Sequence, residues 1–171
     1  MIFYIFLIFA IIFLLFLLSM IWPPDSPWAP WWRTSKNIAR RMCELASINK
    51  DDLIYDLGSG EGTALLVAAK EFGAKGVGIE IDPLRFLYSK VQIKRNGLKN
   101  NVKIKRGNLF DQDLSKASVV FVYLVPKTLD KLLPKFKKEL KKGTRIVSFR
   151  YEIGLPLKKY DEDNNLRLYV I

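Results

Sequence analysis

The 171-residue chain has no histidine. That removes the usual general base near neutral pH and the commonest transition-metal ligand, so metal chemistry is not expected. It has one cysteine, Cys43. A single thiol excludes an intramolecular disulfide and the paired-cysteine attack on pyrimidine C5, and its expected state is buried and inert. No internal repeat is visible, which excludes a solenoid. Acidic residues are few: 17 Asp and Glu stand against 28 Lys and Arg, giving +11. A basic domain attracts anionic lipid headgroups and nucleic acid alike, so charge alone does not choose between them.

Charge is missing altogether from the beginning of the chain. Met1 to Trp22 is an unbroken apolar run whose only polar side chains are Tyr4 and Ser19, and the first charge is Asp25. As a helix, such a run is long enough for the ~30 Å of bilayer hydrocarbon. A cleaved signal peptide needs a basic start, a shorter apolar stretch and a small-residue cleavage site, and these are lacking. Residues 1–22 are therefore expected to be a retained transmembrane helix in the lipid bilayer. Arg33, Lys36, Arg40 and Arg41 follow it closely and nothing charged precedes it. The positive-inside rule then gives a single-pass protein of the cytoplasmic membrane, with its N-terminus outside and its C-terminal domain in the cytoplasm.

Residues 23–33 form a linker rich in proline and tryptophan. Pro23, Pro24, Pro27 and Pro30 make it a semi-rigid spacer, rising ~3 Å per residue. Trp22, Trp28, Trp31 and Trp32 suit headgroup depth, or they pack on the domain or frame a substrate entrance. The remaining residues, 34–171, suffice for one α/β domain.

The densest chemistry lies between Leu53 and Asp82. Leu-Ile-Tyr-Asp-Leu-Gly-Ser-Gly-Glu-Gly, residues 53–62, is an apolar strand bearing Asp56, then a turn with Gly58, Ser59, Gly60 and Gly62. Gly-Val-Gly-Ile-Glu-Ile-Asp, residues 76–82, is a second strand ending in Glu80 and Ile81. Glycines at a strand-to-helix turn let a ligand approach the backbone, and an acid ending the next strand accepts hydrogen bonds from both hydroxyls of a ribose. A dinucleotide turn reads Gly-x-Gly-x-x-Gly and seats a pyrophosphate, which Asp56 would repel; the acid suits a cationic amino-acid moiety instead.

A pass along the chain predicts helices over 35–46, 62–72, 83–96 and 127–140, alternating with strands over 53–57, 76–81, 102–106, 119–124, 145–151 and 166–171. That alternation implies a mostly parallel sheet with helices on both faces, binding its ligand at the carboxyl ends of the strands. Lys135 to Lys142, interleaved with Leu132, Leu133, Phe136 and Leu140, reads as the solvated face of a helix covering the sheet, or as a lipid or RNA contact.

Asp-x-Gly-x-Gly-x-Gly followed by Gly-Ile-Glu-Ile-Asp resembles the class I S-adenosylmethionine (SAM) methyltransferases, whose Rossmann-like α/β fold is thereby expected after the transmembrane helix. The anchor, Pro-Trp-Ala-Pro, Thr-Ser-Lys-Asn-Ile-Ala-Arg-Arg-Met, Val-Tyr-Leu-Val-Pro and Gly-Thr-Arg-Ile-Val-Ser-Phe-Arg-Tyr extend the likeness to most of residues 27–171. Together they resemble the single-pass protein-lysine methyltransferases that act on ATP synthase c-subunit and adenine nucleotide translocase. The resemblance implies SAM as cofactor and a membrane-associated protein lysine as substrate. It puts Thr34 at the cofactor's methionine end, wraps Asp56 to Gly62 around it and gives its ribose to Glu80. Asn108 stands where relatives carry an adenine-binding acid; its carbonyl oxygen can accept the same bond, with Leu109 over the ring, though Asn108 is equally a turn former. Tyr123, ending the fourth strand, is the candidate catalytic residue, orienting the amine or lining an aromatic channel, or else simply packing. The [Asp/Asn]-Pro-Pro-[Tyr/Phe] signature of amino-group nucleic-acid methylases is missing, because Pro23-Pro24 lies in the linker. Nucleic acid is thus not the expected substrate. A lipid, quinone or RNA methylase and a catalytically silent tethered module remain alternatives. The short C-terminus leaves the superfamily's antiparallel strand pair open.

Overall fold

The computed structural model describes residues 2–21 and 32–171, with side chains in the first helix described as far as Leu17. That helix, α1, runs Ile2–Ile21, and its described side chains are exposed. Among the described residues no helix is long and apolar enough to cross a membrane. The expected transmembrane helix is therefore not supported by the structure. Trp22, Trp28, Trp31 and the prolines of the expected linker lie outside the described residues.

The domain alternates as the sequence predicts. In chain order it has α2 (Lys36–Leu45), β1 (Leu53–Leu57), α3 (Thr63–Phe72), β2 (Lys75–Glu80), α4 (Pro83–Arg95) and β3 (Val102–Arg106). Then come β4 (Val119–Val122), α5 (Pro126–Glu139), β5 (Arg145–Phe149), β6 (Leu157–Asp161) and β7 (Leu166–Val170). Local chemistry sets the boundaries. Ser35 caps α2 by accepting the Ile38 N–H, and Asp82 caps α4 by accepting those of Leu84 and Arg85, with Pro83 in the first turn, where its missing N–H costs nothing.

The sheet order is β3-β2-β1-β4-β5-β7-β6, parallel from β3 to β5 and antiparallel at β7 and β6. Antiparallel β6 and β7 form the strand pair left open by the sequence. The β6 strand was not predicted; Leu157 to Tyr160 are exposed and lack the apolar alternation that marks a half-buried strand.

Central β4 shows how both faces are covered. Val119 and Phe121 pack with Met42, Cys43, Leu65 and Ala68 of α2 and α3, whereas Val120 and Val122 pack with Leu129, Leu132 and Phe136 of α5. A strand buried on both faces needs a continuous apolar run, as found here. Cys43 is fully buried and burial pushes its thiol up to about 12, so it is the inert thiol expected. The lysine-rich α5 buries Leu129, Leu132 and Phe136, with Leu140 buried just past its end, and pairs Lys135 with Glu139 at 2.7 Å, the geometry of a sheet-covering helix. Strand order reverses between β1 and β4, and the crevice there opens at their carboxyl ends.

Candidate cofactor and acceptor site

The glycine turn is built against β2. Gly58, Gly60 and Gly62 have φ of 82°, 53° and 79°, a left-handed region that side chains rarely adopt. Gly62 caps α3, so its role is to start the helix beside the ligand space rather than to line it. Within β2, a Cβ on Gly78 would lie 2.6 Å from Ser59 Oγ and 2.5 Å from Ile104 Cδ1. The bare strand lets the turn settle onto the sheet. Ser59 Oγ is consequently buried with no hydrogen-bond partner among the described residues. Any contact Ser59 offers a ligand comes from its backbone.

The turn is also held by an acid. Glu80 is buried, with Oε2 accepting the Gly60 N–H at 2.7 Å and Oε1 accepting the Asp82 N–H at 2.9 Å. Burial raises its carboxyl above the ordinary range against the pull of those two donors. Asp56, one strand over, is pushed up to about 7, first by burial and then by Glu80. Two buried acids on neighbouring strand ends make a place for a cation and for hydroxyl donors, and an unfavourable place for phosphate.

Both line a cavity of about 550 Å³ at the crevice. Thr34, Gly58, Ser59, Gly60, Ile81, Asn108, Leu109 and Tyr123 line it too, so of the residues singled out in the sequence only Gly62 stands behind the wall. Asn108 caps a short 3-10 turn, Leu109–Asp111, its Oδ1 accepting the Phe110 N–H at 3.1 Å. The turn role is thus shown, and the amide oxygen keeps a second lone pair that a ligand in the cavity could use.

Sequence reasoning missed several wall residues. Arg33 faces the cavity and pairs with Glu61 of the glycine turn, Nη2 to Oε1 2.6 Å; Glu61, inside the 56–62 turn expected to wrap the cofactor, and Trp32, for which framing a substrate entrance was one expected role, face it too. Phe110, Arg85 and Thr128 join them. These contacts link distant segments, and local pattern carries no signal for them.

Beside the cavity, Tyr123 packs on Phe149 with centroids 4.5 Å apart. Burial pushes its phenol up while the Arg150 guanidinium pulls the other way. That guanidinium lies 5.0 Å from the Trp32 ring centroid and 5.6 Å from that of Tyr123. Among the described residues no group of histidine, cysteine or acidic side chains could hold a metal ion.

The comparisons agree with this geometry. Residues 56–156 match the family described as the ANTKMT methyltransferase domain. A protein-lysine N-methyltransferase of Saccharolobus islandicus is 41% identical over 128 residues, covering 74% of this chain and 80% of that one. The Caenorhabditis elegans lysine N-methyltransferase of the ATP synthase c-subunit is 29% identical over 119 residues; the match covers 68% of this chain and 62% of the relative's length. Among solved structures, an RNA methyltransferase from Salinibacter ruber in complex with S-adenosyl-L-homocysteine has a TM-score of 0.77 at 35% identity, covering 82% of this chain and 94% of that one.

Proposed function

The chain belongs to the ANTKMT methyltransferase-domain family, and from that premise we propose that it is a SAM-dependent protein-lysine N-methyltransferase tethered to a membrane. The observation that carries the reading is the placement of Asp56 and Glu80 in one cavity with Tyr123 at its β4 edge. The 41% identity to a protein-lysine methyltransferase supports the lysine substrate.

The cavity fits SAM by its donor set. Each Glu80 oxygen keeps a lone pair beyond the one given to Gly60 or Asp82, enough for two ribose hydroxyls. Asp56 and Thr34 would hold the cationic amino-acid end, Asn108 Oδ1 would accept from the adenine amino group, and Ile81 and Leu109, which line the same cavity, would cover the ring. When bound, the cofactor supplies a methyl group on a cationic sulfur to an uncharged nitrogen. The protein's task is alignment and exclusion of water, since in-line displacement needs little else. A lysine ammonium has no lone pair, so it must first give a proton to solvent. Partial desolvation beside the apolar Val122 and Leu124 lowers the ammonium pKa and favours that loss.

The membrane part rests on sequence. Residues 1–22 carry no charge, and Arg33, Lys36, Arg40 and Arg41 follow. These support an anchor with its N-terminus outside, a linker over 23–33 and a catalytic domain, 34–171, in the cytoplasm. The substrate is then a lysine on a membrane or membrane-adjacent protein.

A second reading has support: the Salinibacter ruber relative is an RNA methyltransferase, and this chain carries +11. Incubation of native membranes and total RNA with the enzyme and tritiated SAM separates the two. Label in a protein band, released as methyl-lysine on hydrolysis, is expected. Label confined to RNA or to the lipid extract would overturn the lysine assignment.

A further inference from the structure

We propose that Trp32, Tyr123 and Phe149 form the cage that receives the acceptor's cationic side chain, and that Arg150 is its resident cation, displaced when the acceptor enters. The proposal rests on the lysine reading above and names the residues that would select the acceptor.

The cage joins three distant pieces of chain: the end of the linker, the end of β4 and the end of β5. The Arg150 guanidinium carbon lies 5.0, 5.6 and 5.4 Å from the centroids of Trp32, Tyr123 and Phe149, all within reach of the cation–π attraction. Trp32 and Tyr123 also line the cofactor cavity, so the cage opens where the methyl group must leave. Among the described residues Arg150 has no carboxylate partner, unlike Arg33, Arg40, Arg41, Arg145 and Arg167. Among the described residues its guanidinium is faced by three rings, with solvent on its open side.

The backbone holds this posture at some cost. Arg150 has φ of 69°, the left-handed region, fixed by its N–H donating to the Asn165 carbonyl at 2.9 Å and by Arg167 Nη1 donating to its own carbonyl at 2.9 Å. A non-glycine residue held there by its surroundings is the kind of strain that collects at ligand sites. An exposed arginine needs no such arrangement for solubility.

A lysine stem is slender enough to follow the path that the guanidinium takes, and its ammonium seeks the same three ring faces. Acceptor affinity then reflects the difference between two cation–π interactions, which rejects side chains without a charge.

The test uses the full chain in detergent micelles, saturated with S-adenosyl-homocysteine. Nα-acetyl-lysine methylamide is titrated while the Trp32 indole N–H resonance is followed by NMR; its loss in Trp32→Phe assigns it. Arg150→Gly suits the left-handed backbone and is expected to bind the lysine compound about tenfold more tightly than the wild type. Arg150→Gln, which keeps the stem, is expected to behave alike, with the gain persisting in 0.5 M salt if occupancy rather than charge repulsion is removed. Nα-acetyl-norleucine methylamide, with a similar stem and no charge, is expected to leave the resonance unmoved. Equal lysine affinity in wild type and both variants, a gain abolished by salt, or equal binding of norleucine overturns the proposal. Counting methyl transfer from tritiated SAM in parallel samples tests the lysine reading separately: tighter binding without transfer would keep the cage and sink the reaction.

Discussion

Glu80 and Gly60 are joined across the top of the sheet: the carboxylate at the end of β2 accepts the turn's N–H at 2.7 Å. The acid proposed to hold the ribose also shapes the turn that wraps the cofactor. Glu80→Ala is therefore expected to weaken SAM binding by about 2 kcal/mol or more, roughly thirtyfold, because the hydroxyls and the Gly60 N–H lose an acceptor together. Glu80→Gln should fall between, since its amide nitrogen meets one of two N–H donors. Calorimetry showing unchanged SAM affinity in Glu80→Ala would remove the ribose assignment.

The raised acids predict a pH signature. Asp56 moves from its ordinary 3.8 to about 7 in the folded domain, so its contribution to stability is full below about 3.8 and is lost as pH rises through 7. Glu80, also raised by burial, contributes with the same sign. Between pH 5.5 and 8 the cofactor-free domain is expected to melt at progressively lower temperature, and Asp56→Asn should flatten most of that slope. SAM affinity should run the opposite way. The charged carboxylate attracts the cationic cofactor, so binding tightens with pH up to about 7 and releases protons below it. Titrations in buffers of different ionisation heat count those protons. A count of zero at pH 6 would take Asp56 out of the cation site.

Gly78 is required by packing. A methyl there would enter the space of Ser59 and Ile104 at 2.6 and 2.5 Å, forcing the turn off the sheet. Gly78→Ala is expected to destabilise the domain by about 1–3 kcal/mol and to weaken SAM binding without touching the ligand. Adding Ser59→Gly should recover part of both. Urea unfolding with and without SAM measures the two effects, and a neutral Gly78→Ala would show that the turn can shift freely.

The sequence announced the centre of this site better than its rim. Asp56, Glu80 and the glycines sit on local patterns, a strand followed by a turn, whose period and spacing place them at strand ends before any contact is known. Asn108 was readable as either turn former or ligand; its hydrogen bond to Phe110 shows the turn role, and its place in the cavity wall leaves the ligand role to the proposal. The rim depends on pairings between remote segments. Arg33 reaches Glu61 across 28 residues, and Arg150 reaches Trp32 from the far end of β5. A single sequence carries no trace of such pairs. The edge strand β6 was missed for another reason: its exposed Lys158, Lys159 and Tyr160 carry no hydrophobic period, and only its register with β7 makes it a strand.

If the first 22 residues choose the substrate rather than make the chemistry, shortening the chain should separate selectivity from turnover at a definable place. Thr34 lines the cavity, and Arg33 grips Glu61 in the glycine turn. A chain beginning at Pro27 keeps these contacts and is expected to bind SAM as the full protein does, whereas one beginning at Ser35 loses both and should bind more weakly. Tethering acts through effective concentration, which a stiff spacer of ~10 residues keeps high for lysines near the bilayer and low for distant ones. The chain from Pro27 should therefore methylate a soluble lysine peptide as well as the full protein does, but lose its preference for a membrane-protein lysine in vesicles. The ratio of the two rates, full-length against shortened, is the measurement. Equal ratios would mean that residues 1–26 do not select the substrate, and equal SAM affinity in the chain from Ser35 would show that Arg33 and Thr34 line the cavity without holding what it binds.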